Sequence, residues 1–217
     1  METYHPKLDQ FGQKVLIKEP SVPTNTETWY DSNKISSFTP NSPAPRHWNG
    51  ISTNKINHSP TQYHYDESKD KPFVHDPLKR SNAGMVVLGK DKRIVLVSPT
   101  NKFGNYDYTF AKGQQDLGES FPQTAMREHF EETGLHAQPI HHLGDYHRHN
   151  SITRMYLGIH KGGNPSDFSW ETQKLSLVPL HEAHKFLHTN TDQRILHDLK
   201  LHLAHQEATH HLKSLIK

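Results

Sequence analysis

The sequence of 217 residues contains no cysteine, which excludes disulfide bridges and zinc sites built from thiolates. It also lacks an apolar run near the roughly 20 residues that a membrane-spanning helix needs. The first residues, METYHPKLDQ, lack the charged-then-apolar pattern of a signal peptide. The formal charge of +2, with histidine neutral, indicates neither a polyanion-binding nor a strongly acidic class of protein. We therefore expect a protein of the cytoplasm or of an equivalent reducing space, with no membrane contact.

Hydrophobic residues are also scarce, at 32%, which is low for a chain that is folded throughout. Residues 1–80 are rich in Pro, Ser, Asn and Thr, and only the KVLIKE segment alternates like a strand. Trp29, Trp48 and Phe73 are large apolar anchors that a free linker would not need. We predict that residues 1–80 form an irregular, partly ordered arm, draped over a compact domain of residues 81–217. The alternative is an arm that stays disordered until a partner binds.

The remainder of the chain alternates between strand-like and helix-like patterns. AGMVVLG, RIVLVSPT, YTFAKG, IHHLGDYH, TRMYLGIH and LSLVPL read as strands. HEAHKFLH predicts a short helix, and a longer one capped by Asn190 or Thr191 follows. Its predicted buried stripe consists of Ile195, Leu199, Leu203 and Leu212, with Leu196 at its flank. This order of elements predicts an α/β sandwich around a mixed sheet.

One further helix stands out between Ser120 and Gly134. Ser120 and Gln123 form a capping-box pattern, so the helix should begin near Phe121. Pro122 falls in the first turn, where its missing N–H costs little, and Gly134 is a natural C-terminal stop. The pattern therefore predicts a helix over 121–133.

Three carboxylates lie on one face of this helix, because Glu128, Glu131 and Glu132 stand at i, i+3 and i+4. Like charges at this spacing repel one another, and a divalent cation such as Mg²⁺ or Mn²⁺ would compensate them. The alternative interpretation is a solvated acidic helix face.

The residues around the three glutamates favour the metal site. Gly113, Glu119, Arg127-Glu128, Glu131-Glu132 and Gly134 stand at the spacing of the Nudix box, so the chain from Ser81 to His205 resembles the Nudix hydrolase superfamily. Loops outside the box are similar to a group of bacterial Nudix proteins. The resemblance implies a Nudix-type α/β/α sandwich. It also implies hydrolysis of a nucleoside diphosphate linked to another moiety, with Mg²⁺ or Mn²⁺ as cofactor.

The resemblance also implies roles for individual residues. Glu128, Glu131 and Glu132 match the metal-holding carboxylates of the box, and Glu128 is also a candidate to orient or deprotonate water. Arg127 matches the box arginine and is expected to brace the preceding loop through Glu119. The carbonyl of Gly113 or Lys112 is a further candidate ligand. Glu171 is the candidate catalytic carboxylate outside the box, the alternative being an exposed loop residue.

Substrate contacts are expected from basic and aromatic residues near the box. Lys112, Arg148 and Arg154 are candidates to bind a phosphate, the alternative for each being a surface charge. Tyr108 is a candidate to stack on a base, as are Phe103, Tyr106 and Trp170, with core packing as the alternative.

Histidine is abundant, with 20 residues scattered along the chain. Their spacing matches no zinc quartet, so we expect surface or half-buried imidazoles, although metal binding by some of them is left open. His129 replaces the aliphatic residue that the box usually has on the face packed under the sheet. A half-buried histidine there needs a partner, and its protonation would strain the helix.

The expected function is a pyrophosphohydrolase for a dinucleoside polyphosphate or an ADP-ribose-like substrate. The loops lack the basic run expected for RNA, which disfavours a nucleic-acid substrate. The alternative function is a Nudix-fold binding or regulatory module without turnover, whose usual signature is loss of box glutamates. A homodimer is left open.

Overall fold

The computed structural model describes residues 2–215, with side chains placed for residues 2–211. The strands are β1 (Thr3–Leu8), β2 (Lys14–Ile17), β3 (Ser36–Phe38), β4 (His47–Trp48), β5 (Ile51–Ser52), β6 (Arg80–Leu88), β7 (Arg93–Pro99), β8 (Lys112–Gln114), β9 (Leu135–His147), β10 (Ser151–Gly163) and β11 (Thr172–Pro179). The helices are α1 (Phe121–Thr133) and α2 (Asn190–Leu215). Neither of these helices is long and apolar enough, over the described residues, to cross a membrane.

Seven of the described strands form one mixed sheet. Six follow the order β3-β11-β7-β6-β10-β9, and β8 also pairs with β6. β6 and β10 run parallel, whereas the other neighbours are antiparallel. β6 and β7 pair only near their turn, at Leu88 and Ile94, which leaves the far end of β6 free to pair with β8. The sheet thereby places β8 directly before the loop that leads into α1.

The two helices cover opposite faces of this sheet. Along β6, Ala83, Met85 and Val87 belong to the core with Phe121, Ala125 and Met126 of α1, whereas Val86 belongs to the core with Ile195 and Leu199 of α2. Successive strand residues point to opposite faces, so a strand buried on both sides reads as a continuous apolar run. The predicted α/β/α sandwich around a mixed sheet is confirmed.

Two local predictions before α2 were wrong. Residues 181–188 contain only a one-turn 3₁₀ helix (Ala183–Lys185) instead of a short α-helix. The cap of α2 is Thr189, whose Oγ1 accepts a hydrogen bond from the Asp192 N–H at 3.1 Å, and not Asn190 or Thr191. Ala183 and Leu187 are both buried ahead of this cap.

The buried stripe of α2 largely follows the prediction. Ile195 and Leu199 are fully buried, and Leu203 is partly buried. Leu196, expected at the flank, is also buried. The predicted position Leu212 lies outside the described side chains.

The strand predicted at YTFAKG is shorter than expected. β8 begins only at Lys112, and the earlier residues contribute a single bridge between Thr109 and Val97. Phe110 and Ala111 are buried, and the Ala111 carbonyl accepts a hydrogen bond from the Met85 N–H of β6 at 3.1 Å, so this segment already lies along β6 before β8 begins.

The N-terminal segment packs against the α1 side of the sheet. β3 adds to β11 as an edge strand, and Trp29, Phe38 and Trp48 belong to the core that includes α1. β4 and β5 form a hairpin whose turn, Asn49-Gly50, has positive φ angles of 54° and 76°. Asn-Gly is the preferred pair for such a turn, because both positions require a left-handed backbone.

Arg93 ties this segment to the sheet. It lies at the start of β7 and is 1% exposed. Its guanidinium donates to the Asp91 carboxylate at 2.8 Å, to the Ser36 hydroxyl at 2.8 Å and to the carbonyls of Thr28, Trp29 and Lys34. A buried guanidinium is stable only when its donors are satisfied, so the position of residues 28–36 depends on this side chain.

We expect Arg93→Met to lower the free energy of unfolding by about 3 kcal/mol, because the acceptors around the guanidinium lose their donors. Urea denaturation followed by tryptophan fluorescence would measure it. Arg80→Met, on the exposed arginine of β6, is the matched control and should change stability by less than about 0.5 kcal/mol. Equal effects of the two substitutions would contradict the anchoring role of Arg93.

Three histidines are buried together on the α1 side of the sheet. His129 on α1 and His136 at the start of β9 are 1% exposed, and His160 on β10 is 6% exposed. None of their ring nitrogens has a hydrogen-bond partner among the described residues. The partner expected for His129 is therefore missing, and burial lowers the pKa of His129 to about 3 and that of His160 to about 4. All three residues are held in the neutral form.

These histidines predict a loss of stability in acid. The pKa of a histidine falls on folding here, so its contribution is fully present above about pH 6.5. That contribution is lost as the pH falls towards about 4, because the unfolded chain binds protons first. We expect His160→Phe, which keeps a ring against Trp48, to remove about 2 kcal/mol of the difference in unfolding free energy between pH 7 and pH 5. His149→Phe, at an exposed position, is the control, and identical pH slopes for wild type and His160→Phe would contradict the explanation.

Candidate active site

Arg127 is the centre of the loop and helix predicted to hold the metal. Its guanidinium makes a two-pronged contact with Glu119, with Nε donating at 2.8 Å and Nη2 at 3.0 Å. Nη1 donates to Glu128 at 2.7 Å and to Glu131 at 3.2 Å, and Nη2 donates to the carbonyl of Gln114 at 2.9 Å. The structure thus contains the Arg127–Glu119 pair that the sequence predicts. One side chain joins β8, the following loop and the acidic face of α1.

The ends of α1 follow the sequence signals. Gln123 accepts a hydrogen bond from the Ser120 N–H at 2.9 Å, as in a capping box. Gly134 ends the helix in the left-handed conformation, with φ 68° and ψ 2°. A Cβ at Gly134 would also overlap the carbonyl of Asn164, so this glycine lets the loop before β11 approach the helix end.

Gly113 brings the backbone of β8 against Glu128. A Cβ built on Gly113 would overlap the carboxylate of Glu128, so any larger residue would push that side chain away. Glu128 is buried, whereas Glu131 and Glu132 are partly exposed. The carboxylate of Glu132 is hydrogen-bonded by the backbone of Lys112, the residue before Gly113. The carboxylate face of α1 therefore lies against β8.

The electrostatics of this face show crowded negative charge. Burial raises the pKa of Glu128 to about 7, with Arg127 opposing and the charges of Glu131 and Glu171 adding to the rise. Burial also raises the pKa of Glu131, and it raises the pKa of Glu132 well above its usual range, with Lys112 opposing. A cation bound among these groups would relieve the repulsion that shifts their pKa values.

Glu171 lies in the loop that closes over this face. The Ser169 N–H donates to the carbonyl of Glu131 at 2.6 Å, and the Thr100 N–H donates to the carbonyl of Glu171 at 2.8 Å. These bonds attach the loop to α1 and to the end of β7. Burial and the charge of Glu131 raise the pKa of the Glu171 carboxyl group. The structure thus brings Glu171 to the three box glutamates.

Two of the predicted phosphate-binding residues, Lys112 and Arg148, lie near each other. Lys112 donates through Nζ to Thr109 Oγ1 at 2.7 Å and to the carbonyl of Phe110 at 3.1 Å. Arg148, at the end of β9, donates to the Tyr106 hydroxyl at 2.7 Å and to Asp192 at 2.9 Å. Lys112 lies within electrostatic reach of both Arg148 and Glu132.

Arg154 and Tyr108 are engaged elsewhere. Arg154 makes two hydrogen bonds to Asp145, at 2.7 and 2.8 Å, and one to the carbonyl of Lys71 at 2.7 Å. Its guanidinium also lies 5.2 Å from the rings of Phe73 and Phe121, so its donors are committed to packing the N-terminal segment. The hydroxyl of Tyr108 accepts from Lys174 at 2.8 Å, and its ring packs edge-on against Phe186. These contacts favour structural roles for both residues.

Asp192 and Thr109 belong to this region but carry no obvious sequence signal of a site. Asp192 is fully buried and accepts hydrogen bonds from Arg148 and from Thr109 at 3.0 Å. In the sequence, Asp192 reads as an acidic residue in the first turn of a helix, three positions after the Thr189 cap. That local pattern explains the residue without any tertiary contact, so sequence reasoning passes over it.

The donor set fits a hard divalent cation. The side chains around Gly113 offer carboxylate oxygens, which Mg²⁺ and Mn²⁺ prefer, and Gly113 leaves the backbone accessible. As they stand, no three described histidine, aspartate or glutamate side chains converge tightly enough to hold a metal ion. Glu128 and Glu131 instead turn towards Arg127. The site therefore fits a metal ion in the type of its donor atoms and in their position on α1 and β8, and not in the present directions of the side chains.

Comparison with known protein families identifies the domain. The family model described as NUDIX domain matches residues 78–199, which is over half of the chain. The chain belongs to the Nudix family. The match begins just before β6 and ends within α2, so it leaves out the N-terminal segment and the C-terminal half of α2.

Individual Nudix relatives are more distant. Mutator protein MutT4 of Mycobacterium tuberculosis is 30% identical over 115 residues, which cover 47% of this chain and 46% of the relative. The chain thus spans about half the length of this curated relative. A Nudix hydrolase from Nitrosomonas europaea has a TM-score of 0.48 at 17% identity, covering 57% of this chain and 89% of that one. An Ap4A hydrolase of C. elegans has a TM-score of 0.43 at 24% identity, covering 58% and 98%.

We expect Arg127→Met to lower the free energy of unfolding of this Nudix domain by about 2–4 kcal/mol at pH 7, because Glu119 and Glu128 lose the cation that compensates them. Urea denaturation without added metal would measure the change. Arg194→Met, on the exposed surface of α2, is the control and should be nearly neutral. A neutral Arg127→Met would show that the charge cluster does not need this arginine.

Proposed function

We propose that the protein is a divalent-metal-dependent hydrolase. Its reaction would be cleavage of the pyrophosphate bond in a nucleoside diphosphate linked to another moiety. The observation that supports this most directly is the packing of the Glu128 carboxylate on Gly113, with Glu131, Glu132 and Glu171 around it. Four carboxylates beside one glycine backbone form an oxygen-rich, negatively charged site. A site of this kind suits a metal–phosphate complex better than an uncharged ligand.

Glu128, Glu131, Glu132 and the carbonyl of Gly113 would hold the Mg²⁺ or Mn²⁺. The bound cation would supply neutralisation of the phosphate oxygens and acidification of a coordinated water. Arg127 fixes the loop and the helix that carry these ligands, because its five donors reach both of them. It acts as a brace and not as a substrate contact.

The remaining residues would handle the proton and the phosphates. Glu171 can take a proton from the attacking water, because it lies on the loop facing the metal ligands and its pKa is raised from the ordinary carboxyl value. Lys112 places positive charge within electrostatic reach of Glu132, and Arg148 lies within reach of Lys112, so the two would bind substrate phosphate oxygens together. Preferred substrates are dinucleoside polyphosphates or ADP-ribose-like compounds, since both present a pyrophosphate flanked by larger groups.

A panel of ADP-ribose, diadenosine tetraphosphate and nucleoside triphosphates, assayed with Mg²⁺ and with Mn²⁺, tests this proposal. We expect turnover of at least one compound that EDTA abolishes. Glu131→Gln and Glu132→Gln should each lower kcat/KM by about 100-fold or more, because each removes a charged metal ligand. Glu207→Gln, at an exposed position on α2, is the matched control and should retain activity.

Stability separates loss of metal binding from loss of folding. Without metal, Glu132→Gln should unfold at the same or a higher temperature than wild type, because the substitution removes one of several like charges on this face. Equal product release by wild type and both glutamine variants would refute the metal mechanism. Nucleotide binding without product release from any compound would instead support the alternative of a binding or regulatory module.

A further inference from the structure

Asp192 occupies an unusual position for an acidic residue of a surface helix. It lies in the first turn of α2, is 0% exposed, and faces two donors from other parts of the chain. Its Oδ1 accepts from Arg148 Nη2 at 2.9 Å, and its Oδ2 accepts from Thr109 Oγ1 at 3.0 Å. Burying a carboxylate is costly, so contacts of this number and geometry need an explanation beyond the docking of α2.

The hydrogen bond between Asp192 and Thr109 connects Asp192 to Lys112. Thr109 Oγ1 donates to Asp192 and accepts from Lys112 Nζ at 2.7 Å, so the hydroxyl connects the carboxylate with the ammonium group. The carbonyl of Phe110 takes a second donor of Lys112 at 3.1 Å. An ammonium has three donors, and these two oxygens occupy two of them. The backbone of the same lysine hydrogen-bonds Glu132 on the metal-binding face.

The hydrogen bond between Asp192 and Arg148 fixes the arginine side chain. Besides Asp192, this arginine donates to the hydroxyl of Tyr106 at 2.7 Å, and its Nε has no partner among the described residues. The ring of Tyr106 lies 4.9 Å from Lys112 Nζ and 5.8 Å from the Arg148 guanidinium. The two cations are thus held around one ring. Within this group, two cationic side chains face the one carboxylate of Asp192.

We propose that Asp192 is a positioning residue, which holds Arg148 directly and Lys112 through Thr109 as a cation pair that binds a phosphate group of the substrate. The proposal rests on the proposed function, because Lys112 of the pair lies within electrostatic reach of Glu132 of the predicted metal site. Asp192 itself touches no substrate. Helix docking alone is an insufficient account, since Asp198 on the same helix docks with a single hydrogen bond to the Tyr146 hydroxyl at 2.7 Å.

Binding of imidodiphosphate in the presence of Mg²⁺ tests the pair without turnover, because the P–N–P bridge of this probe resists hydrolysis. By isothermal titration calorimetry on the full chain, Asp192→Asn should weaken binding about tenfold, since the variant keeps the shape of the side chain but loses the charge that orients both cations. Asp198→Asn is the matched control and should bind like wild type. Weak or absent binding by wild type overturns the proposal, as does equal binding by Asp192→Asn.

A second pair of variants covers the case that Asp192→Asn fails to fold. Thr109→Val removes only the hydroxyl between Asp192 and Lys112, and Thr109→Ser keeps it. We expect Thr109→Val to weaken imidodiphosphate binding severalfold and Thr109→Ser to restore it, with similar melting temperatures for the two variants. Equal binding by both threonine variants would show that the connection to Lys112 has no role.

Double substitution separates positioning from a general structural effect. If Asp192 acts through the two cations, Asp192→Asn combined with Arg148→Gln should weaken binding by less than the product of the two single effects, because part of the effect of Asp192 is made through Arg148, whereas independent effects would multiply. In turnover assays the same loss should appear mainly as a higher KM, with kcat within about twofold of wild type. Binding of imidodiphosphate without turnover of any substrate would refute the proposed hydrolase while leaving the cation pair intact. Multiplying effects of the two substitutions would refute the positioning role.

Discussion

The acidic face of α1 depends on Arg127, whose guanidinium holds its carboxylates together. Four acidic or carbonyl partners surround this guanidinium: Glu119, Glu128, Glu131 and the backbone of Gln114. Without a cation among them, the carboxylates would repel one another across the helix and the loop. Arg127 compensates part of this charge, but burial still keeps the pKa of Glu128 near 7. Because Arg127 neutralises only part of the negative charge, the remaining charge of the carboxylates would still attract a divalent cation.

Close contacts of the backbone hold the charged groups of this site in place. The Glu128 carboxylate lies where a side chain on Gly113 would be, and the loop before β11 meets α1 at Gly134. Both contacts bring backbone to the charged face, and both are possible only at glycine. The sheet supports the arrangement from below, since β6 carries β8 on one edge and packs α1 through Met85 and Val87. A rigid two-sided core thereby fixes charged groups that would otherwise separate.

The sequence predicts the acidic helix and the sheet because their signals are local. Ser120, Gln123 and Gly134 define the ends of α1 within a single segment, and the apolar runs of β6, β7 and β11 reflect burial on both faces. Tertiary contacts are the part that sequence reasoning could not supply. Arg154 has the same chemistry as Arg148, yet Asp145 engages the former and Asp192 the latter. Only the fold decides which of the two guanidinium groups lies near Lys112.

The N-terminal arm and the buried histidines also make tertiary contacts that the sequence does not predict. The polar composition predicts an irregular arm, but three residues of it, Ser36–Phe38, extend the sheet. Arg93, the first residue of β7, anchors this segment through its hydrogen bond to Ser36. His129 was expected to find a partner, yet it lies with His136 and His160 in a pocket without acceptors. Their imidazoles stay neutral in the folded protein well below pH 6.5, whereas the unfolded chain binds protons at its histidines from about pH 6.5 downwards. Acid therefore destabilises the core beneath the acidic helix between about pH 6.5 and pH 4, because the unfolded chain binds protons that the buried histidines do not bind, and the support of the charged face is strongest above this range.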